Sequence, residues 1–307
     1  MDADPRLLPP EVLTRLARLR LATRRRVHGR YAGGHTSRRH GSSLDFADHR
    51  EYVAGDDPRR LDVSAYQRLG RLLVRLYEAE DEAAVRIVVD LSASMGFGRK
   101  AAAAREIAAA LTAVAANGQD RVRVLVATRN GVDAGPWYRG PSALPAVESR
   151  LLAAVPDGAT PVGARPGTDS GAAHGADLRA VLARAHGEGP VGPVVLVSDL
   201  LFEGWEQTLL ALASGRGDAL LVHLLGRDDL EPSLRGDLRL ADAETGAEVE
   251  VGIAEQALAD HAAARDRWLA EVEAVCGRRG IAYALLTDDV AVEELVTGAL
   301  RRLGVVV

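Results

Sequence analysis

The sequence predicts an α/β protein in which a mainly parallel sheet lies between layers of helices, preceded by an N-terminal subdomain. Three observations carry that prediction. Five short apolar runs rich in Val, Leu and Ile recur along residues 83–307, helix-forming stretches fill the intervals, and residues 1–82 differ from the rest in charge and glycine content. Alternating strands and helices yield parallel strands covered on both faces, so such strands read as continuous apolar runs.

The elements follow in order. Residues 1–82 hold an Arg-rich amphipathic start with Leu13, Leu16, Leu19 and Leu21, a Gly/Ser/His stretch over 33–43 and a dense charged block, read together as a subdomain packed against the sheet. Ten Arg stand against Asp2, Asp4 and Glu11 in residues 1–40 of a chain whose net charge is −5, so a basic arm precedes an acidic body. Tyr31 is the single aromatic residue among Arg24, Arg25, Arg26, Arg30, Arg38 and Arg39, too few to stack on successive bases, so nucleic acid is not an expected partner and the arm is expected to dock on the acidic body or on an acidic partner.

The body opens with the strand Val85–Asp90 and the alanine-dominated helix Ala101–Ala116, stopped by Asn117-Gly118. Strand Arg121–Ala127 follows. Residues 156–176, punctuated by Pro156, Gly158, Pro161, Gly163, Pro166, Gly167 and Gly171, read as a long loop. Helix Leu178–Ala185, strand Pro193–Ser198, helix Glu203–Ala213 and strand Ala219–Leu225 continue the alternation. Asp237–Val251 alternates on both sides of Glu244-Thr245-Gly246, which predicts a hairpin inserted into the sheet or appended to it. Helix Glu255–Cys276, strand Ile281–Leu286 and helix Val292–Leu303 close the body.

Composition narrows the function classes. With 47% apolar, 26% charged and 4% aromatic residues the chain is globular. No window approaches the ~18 apolar residues of a membrane span, and MDADPRLLPPEV lacks the basic-then-apolar pattern of a secretory signal, so a cytoplasmic, bacterial protein is expected. Cys276 is the single cysteine, which excludes an internal disulfide. Lys100 is the single lysine among 38 Lys and Arg residues, read as genomic base composition instead of chemistry. The histidines at 28, 35, 40 and 49 fit no common zinc spacing and read as solvent-facing loop positions.

The chemistry sits where the first body strand ends. Asp90-Leu91-Ser92-Ala93-Ser94-Met95-Gly96 puts a carboxylate and two hydroxyls on a tight connection at the carboxyl edge of the sheet, where open α/β folds bind ligands. These hard oxygen donors suit magnesium or manganese. The N-terminus of the following helix opposes a cation, so a second acid is needed, and Asp199 supplies it if the strand ending at Ser198 is parallel to the first and beside it. A threonine from the long loop, Thr168 or alternatively Thr160, would add a hydroxyl from above.

This arrangement resembles the metal-ion-dependent adhesion site (MIDAS) of von Willebrand factor type A domains, which are Rossmann-like. The resemblance implies Mg2+ (or Mn2+) held by Asp90, Ser92, Ser94, Thr168 and, through water, Asp199, with a partner's acidic side chain completing the coordination. Upstream, Gly41-Ser42-Ser43-Leu44-Asp45-Phe46 and the block Arg50-Glu51-Tyr52-Val53-Ala54-Gly55-Asp56-Asp57-Pro58-Arg59-Arg60-Leu61-Asp62 resemble the domain of unknown function fifty-eight family, which joins such a block to a type A body. Val63 and Gly70 depart from its usual tryptophan and acidic residue. Membership implies a non-enzymatic, chaperone-like partner of a MoxR-type AAA+ ATPase or its client. From the residues alone, the charged block reads as an ion network fixing the subdomain to the sheet, or as a recognition surface.

A serine hydrolase is the alternative: Ser94 lies between strand and helix, and Asp199 and His223 follow in the order Ser, Asp, His. The copy is poor, because Ser92 occupies the position of the first glycine of a nucleophile elbow and His223 lies in an apolar strand.

Overall fold

The structure, a computed structural model, describes residues 6–22, 46–56, 58, 61–77, 83–128, 131–156, 170–242 and 247–307. The chain divides into two compact units, one of residues 25–82 and one of the remainder.

The first helix, α1 (Pro10–Leu16), belongs to the larger unit. Leu8 and Leu16 are fully buried in the same apolar cluster as Ile107 and Leu111, and the Asn117 side-chain amide donates to the Leu16 carbonyl at 2.9 Å. Arg20 and Val307 exchange backbone hydrogen bonds at 3.0 and 2.9 Å. The expected division at residue 82 is corrected to this extent: burial of Leu8, Leu16 and Leu19 ties residues 6–22 to the body.

In the smaller unit β1 (Phe46–Glu51) and β2 (Leu73–Tyr77) pair antiparallel, with α2 (Val63–Leu69) on the connection between them. Asp62 caps α2 by accepting from the Ala65 amide at 3.0 Å, and Gly70, in the left-handed region at φ 66°, ends it, a conformation that an acidic residue there would adopt only with strain. The charged block pairs within this unit. Arg50 grips Asp56 with two bonds of 2.7 Å and holds its carboxyl down at about 2. His49, on strand β1, meets Asp62 at 2.8 Å and is half-buried, which corrects the solvent-facing loop position expected of it. Asp57, Arg59 and Arg60, and the histidines at 28, 35 and 40, lie outside the described residues.

The larger unit continues with β3 (Ala84–Asp90), α3 (Lys100–Asn117), β4 (Arg121–Thr128), β5 (Gly131–Ala134), β6 (Tyr138–Arg139), α4 (Ala143–Ala153), α5 (Ser170–Gly187), β7 (Val194–Ser198), α6 (Trp205–Ala213), β8 (Ala219–Leu225), α7 (Arg227–Leu230), β9 (Gly236–Ala241), β10 (Glu248–Ile253), α8 (Glu255–Arg279) and β11 (Ile281–Thr287). The described sheet runs β11-β8-β7-β3-β4-β5, with β6 also on β4. From β11 to β4 it is parallel, while β5 and β6 are antiparallel to β4. The five long apolar runs are strands, within a residue or two of expectation.

Side-chain alternation divides the core. Val85, Ile87 and Val89 of β3 enter a cluster with Leu111 and Val114 of α3 and Val147 of α4, while Val88 joins Leu182 of α5, Leu209 of α6 and Val272 of α8. Buried alanines 104, 108, 109, 110 and 115 let α3 lie close on the sheet.

Four differences from the sequence reading stand out. Helix α5 begins at Ser170, inside the expected loop. Helix α4 and strands β5 and β6 had no sequence signal strong enough to read. The hairpin β9–β10 forms its own two-stranded sheet. The final helix, expected over Val292–Leu303, contains a π-helical turn at Leu295–Ala299 between short α-helical turns.

Candidate metal centre

Strand order reverses between β3 and β7, and at such a switch point the loops leaving adjacent parallel strands diverge and open a crevice. Asp90 ends β3, and Asp199 directly follows Ser198, the last residue of β7. Both carboxylates are fully buried.

Short connections set the rest. Asp90 Oδ1 accepts from the Ser92 amide at 2.9 Å, folding the chain back over the strand end, and its Oδ2 accepts from the Ser198 hydroxyl at 2.6 Å. The Ser92 and Ser94 hydroxyls lie 3.1 Å apart, and Ser94 Oγ donates to Asp199 Oδ1 at 3.2 Å. The Leu201 amide donates to the same oxygen at 3.1 Å. Asp90, Ser92, Ser94 and Asp199 are thus brought together as the spacing implied. Thr168 and Thr160 lie outside the described residues.

Sequence reasoning missed several participants. Lys100, the first residue of α3 and only 1% exposed, donates from Nζ to Asp199 Oδ2 at 2.9 Å and to Asp229 Oδ2 at 2.8 Å. Burial works against its ammonium, but Asp199 and Asp229 outweigh that and raise its pKa. Burial pushes the Asp199 carboxyl up, Lys100 opposes the shift and Asp90 adds to it. Asp229 lies on α7 and also accepts from the Gly226 amide at 2.8 Å. Asp288, beyond β11, accepts from the Arg99 amide at 2.7 Å and so fixes the start of α3. A signal existed for the acids, because Asp90, Asp199, Asp229 and Asp288 each follow or end a parallel strand at one edge of the sheet.

The hydrolase arrangement is not assembled. His223 Nε2 donates to the Asp199 carbonyl oxygen at 3.0 Å and Nδ1 accepts from the Tyr283 hydroxyl at 3.0 Å, which leaves neither ring nitrogen for Ser94. Burial lowers this imidazole to about 4, so it is neutral at pH 7 and serves as a core histidine.

The donor set fits a hard divalent cation. Two carboxylates and two hydroxyls are all oxygen donors in one buried cluster, and magnesium is commonly bound through one or two carboxylates while keeping several waters. Among the described residues no three His, Cys, Asp or Glu side chains gather as a metal cluster. Beside the cluster lies a cleft of about 260 Å³ lined by Leu201, Leu225, Asp229, Arg265 and Trp268, among others.

The family described as "Protein of unknown function DUF58" matches residues 48–269 of this chain. An uncharacterized protein of Mycobacterium tuberculosis and one of Mycobacterium bovis are each 30% identical to it over 250 residues, which is 80% of this chain and 74% of theirs. Among solved structures, the conserved hypothetical protein BatB from Bacteroides thetaiotaomicron shares 13% identity at a TM-score of 0.40, covering 72% of this chain and 98% of that one. An aerotolerance-related membrane protein from Bacteroides fragilis shares 17% identity at a TM-score of 0.38, covering 72% and 99%. Among the described residues no helix is long and apolar enough to cross a membrane.

Proposed function

This chain belongs to the DUF58 family, and from that premise we propose that it is a divalent-cation-dependent protein-binding module whose larger unit is a von Willebrand factor type A-like domain. Asp90, Ser92 and Ser94 would hold Mg2+ or Mn2+ together with Asp199, and Thr168 or Thr160 would complete the protein's share. The observation that carries the reading is the convergence of Asp90 and Asp199 with two serine hydroxyls at the switch point of the sheet.

The bound ion would supply a concentrated positive charge at the rim of an acidic edge. The chain's residues do the remainder. Ser198 and the Ser92 amide orient Asp90, and the Leu201 amide and Ser94 orient Asp199. An anionic group suits the remaining coordination position, so the expected ligand is an acidic side chain of a protein partner. A MoxR-type AAA+ ATPase or its client, met in the cytoplasm, is the partner this reading favours.

Titration of the purified protein with Mn2+, followed by electron paramagnetic resonance, tests it. Saturable binding that Asp90→Ala abolishes is expected, along with partner capture that a chelator reverses. Binding unchanged in Asp90→Ala refutes the ligand assignment, and chelator-insensitive capture refutes metal dependence.

A further inference from the structure

Lys100 is placed where two physical effects oppose it. It is the chain's single lysine and sits at the first residue of an 18-residue helix, the end whose dipole repels cations, with its side chain almost fully buried. The two carboxylates at 2.8 and 2.9 Å keep it there. They are not equivalent. Asp199 is fully buried within the candidate metal cluster, whereas the Asp229 side chain is 25% exposed and lines the neighbouring cleft.

Resting on the metal reading above, we propose that Lys100 is a built-in competitor for the divalent ion: its ammonium satisfies Asp199 in the metal-free protein and transfers to Asp229 when the ion takes Asp199. The transfer needs little motion, since Nζ already touches both acids. Neither carboxylate is then left buried beside another without a cation, which would be the costly alternative. Asp229 is also on α7, bounds the cleft with Leu201, Leu225 and Trp268, and accepts from the Gly226 amide. Strengthening of the Lys100–Asp229 pair therefore ties ion occupancy to the wall of a cleft that a partner's apolar side chain can enter. The coupling is reciprocal, so a partner that holds Asp229 in this position tightens the ion.

Mn2+ binding by the wild type, Lys100→Met and Asp229→Asn, together with Mg2+ titration of protein labelled with ¹³C,¹⁵N-lysine, decides the matter. The label gives one side-chain spin system. Removing a positive charge a few ångströms from the ion should tighten binding by on the order of tenfold in Lys100→Met. Asp229→Asn should weaken it severalfold, because the ammonium loses its second acceptor, and the wild-type lysine resonance should move saturably with Mg2+. Binding by Lys100→Met alone also supports the proposal, since the ammonium then closes the site. Wild-type affinity in both variants with an unmoved lysine resonance overturns the competitor role and leaves the metal site standing. No binding by the wild type or by Lys100→Met overturns the metal reading and this inference with it. Should Lys100→Met fail to fold, the resonance and Asp229→Asn decide between these outcomes.

Discussion

Replacing Ser198 by alanine should cost far more than the loss of one small hydroxyl suggests. Its oxygen donates to Asp90 at 2.6 Å and accepts from the Leu200 amide at 3.1 Å, and Leu200 holds φ at 54°, in the left-handed region that a leucine rarely adopts. A hydrogen bond to a charged acceptor contributes about 1.5–3 kcal/mol, and a buried amide stripped of its acceptor costs about 1–3 kcal/mol, the two overlapping because one group serves both. We expect a loss of about 3 kcal/mol, which for a domain of this size lowers the melting temperature by roughly 6–10 °C. Calorimetry of Ser198→Ala against Ser214→Ala checks it. Ser214 makes a bond of 2.8 Å to the Ala211 carbonyl but is exposed, so its removal should shift the midpoint by little. Equal small shifts in the two variants would refute the claim that Ser198 braces the switch-point loop.

Two further outcomes follow from the same geometry. Gly98→Ala should destabilise by about 2–3 kcal/mol, since φ is 60° and an added Cβ would stand 2.6 Å from the Asp288 oxygen that receives the Arg99 amide, whereas Gly277→Ala on the open face of α8 should stabilise by about 0.5–1 kcal/mol; denaturant midpoints of the two variants decide. His223 is held at about 4 against an ordinary 6.5, so below pH 6.5 the unfolded chain takes up the proton first and stability falls as pH drops to about 4. The loss reaches about 3 kcal/mol by that linkage, and urea midpoints of wild type and His223→Gln should diverge across this window if the imidazole is the cause.

The parallel core was legible because strands buried on both faces do not alternate: VRIVVD and ALLVHLL are short apolar runs, too short for a buried helix and set between helix-forming stretches. The antiparallel edge was not. Gly131–Ala134 and Tyr138–Arg139 are too short to show a period, and α4 carries Pro145 inside a stretch with few repeats. Ser170–Ala176 holds two glycines, each about 1 kcal/mol less favourable than alanine within a helix, so no helix could be read there from propensity.

In the site, Asp90, Ser92, Ser94 and Asp199 were readable because a strand-end acid and nearby hydroxyls are local signals on adjacent parallel strands. Lys100 was not. Its role arises from α7 and β7 folding over it, and a lone lysine in an arginine-rich chain looks like composition until its two carboxylates are seen. The Ser198 hydroxyl was hidden for the same reason, since its two partners are set by a turn whose φ no sequence pattern displays.

Having one lysine, and that one enclosed, makes this protein its own kinetic reporter. Reagents that acylate side-chain amines can find a single target within the fold, and only after the start of α3 parts from α7 and the end of β7. The rate at which mass is added at Lys100 under native conditions therefore clocks how often that corner breathes, without any engineered probe.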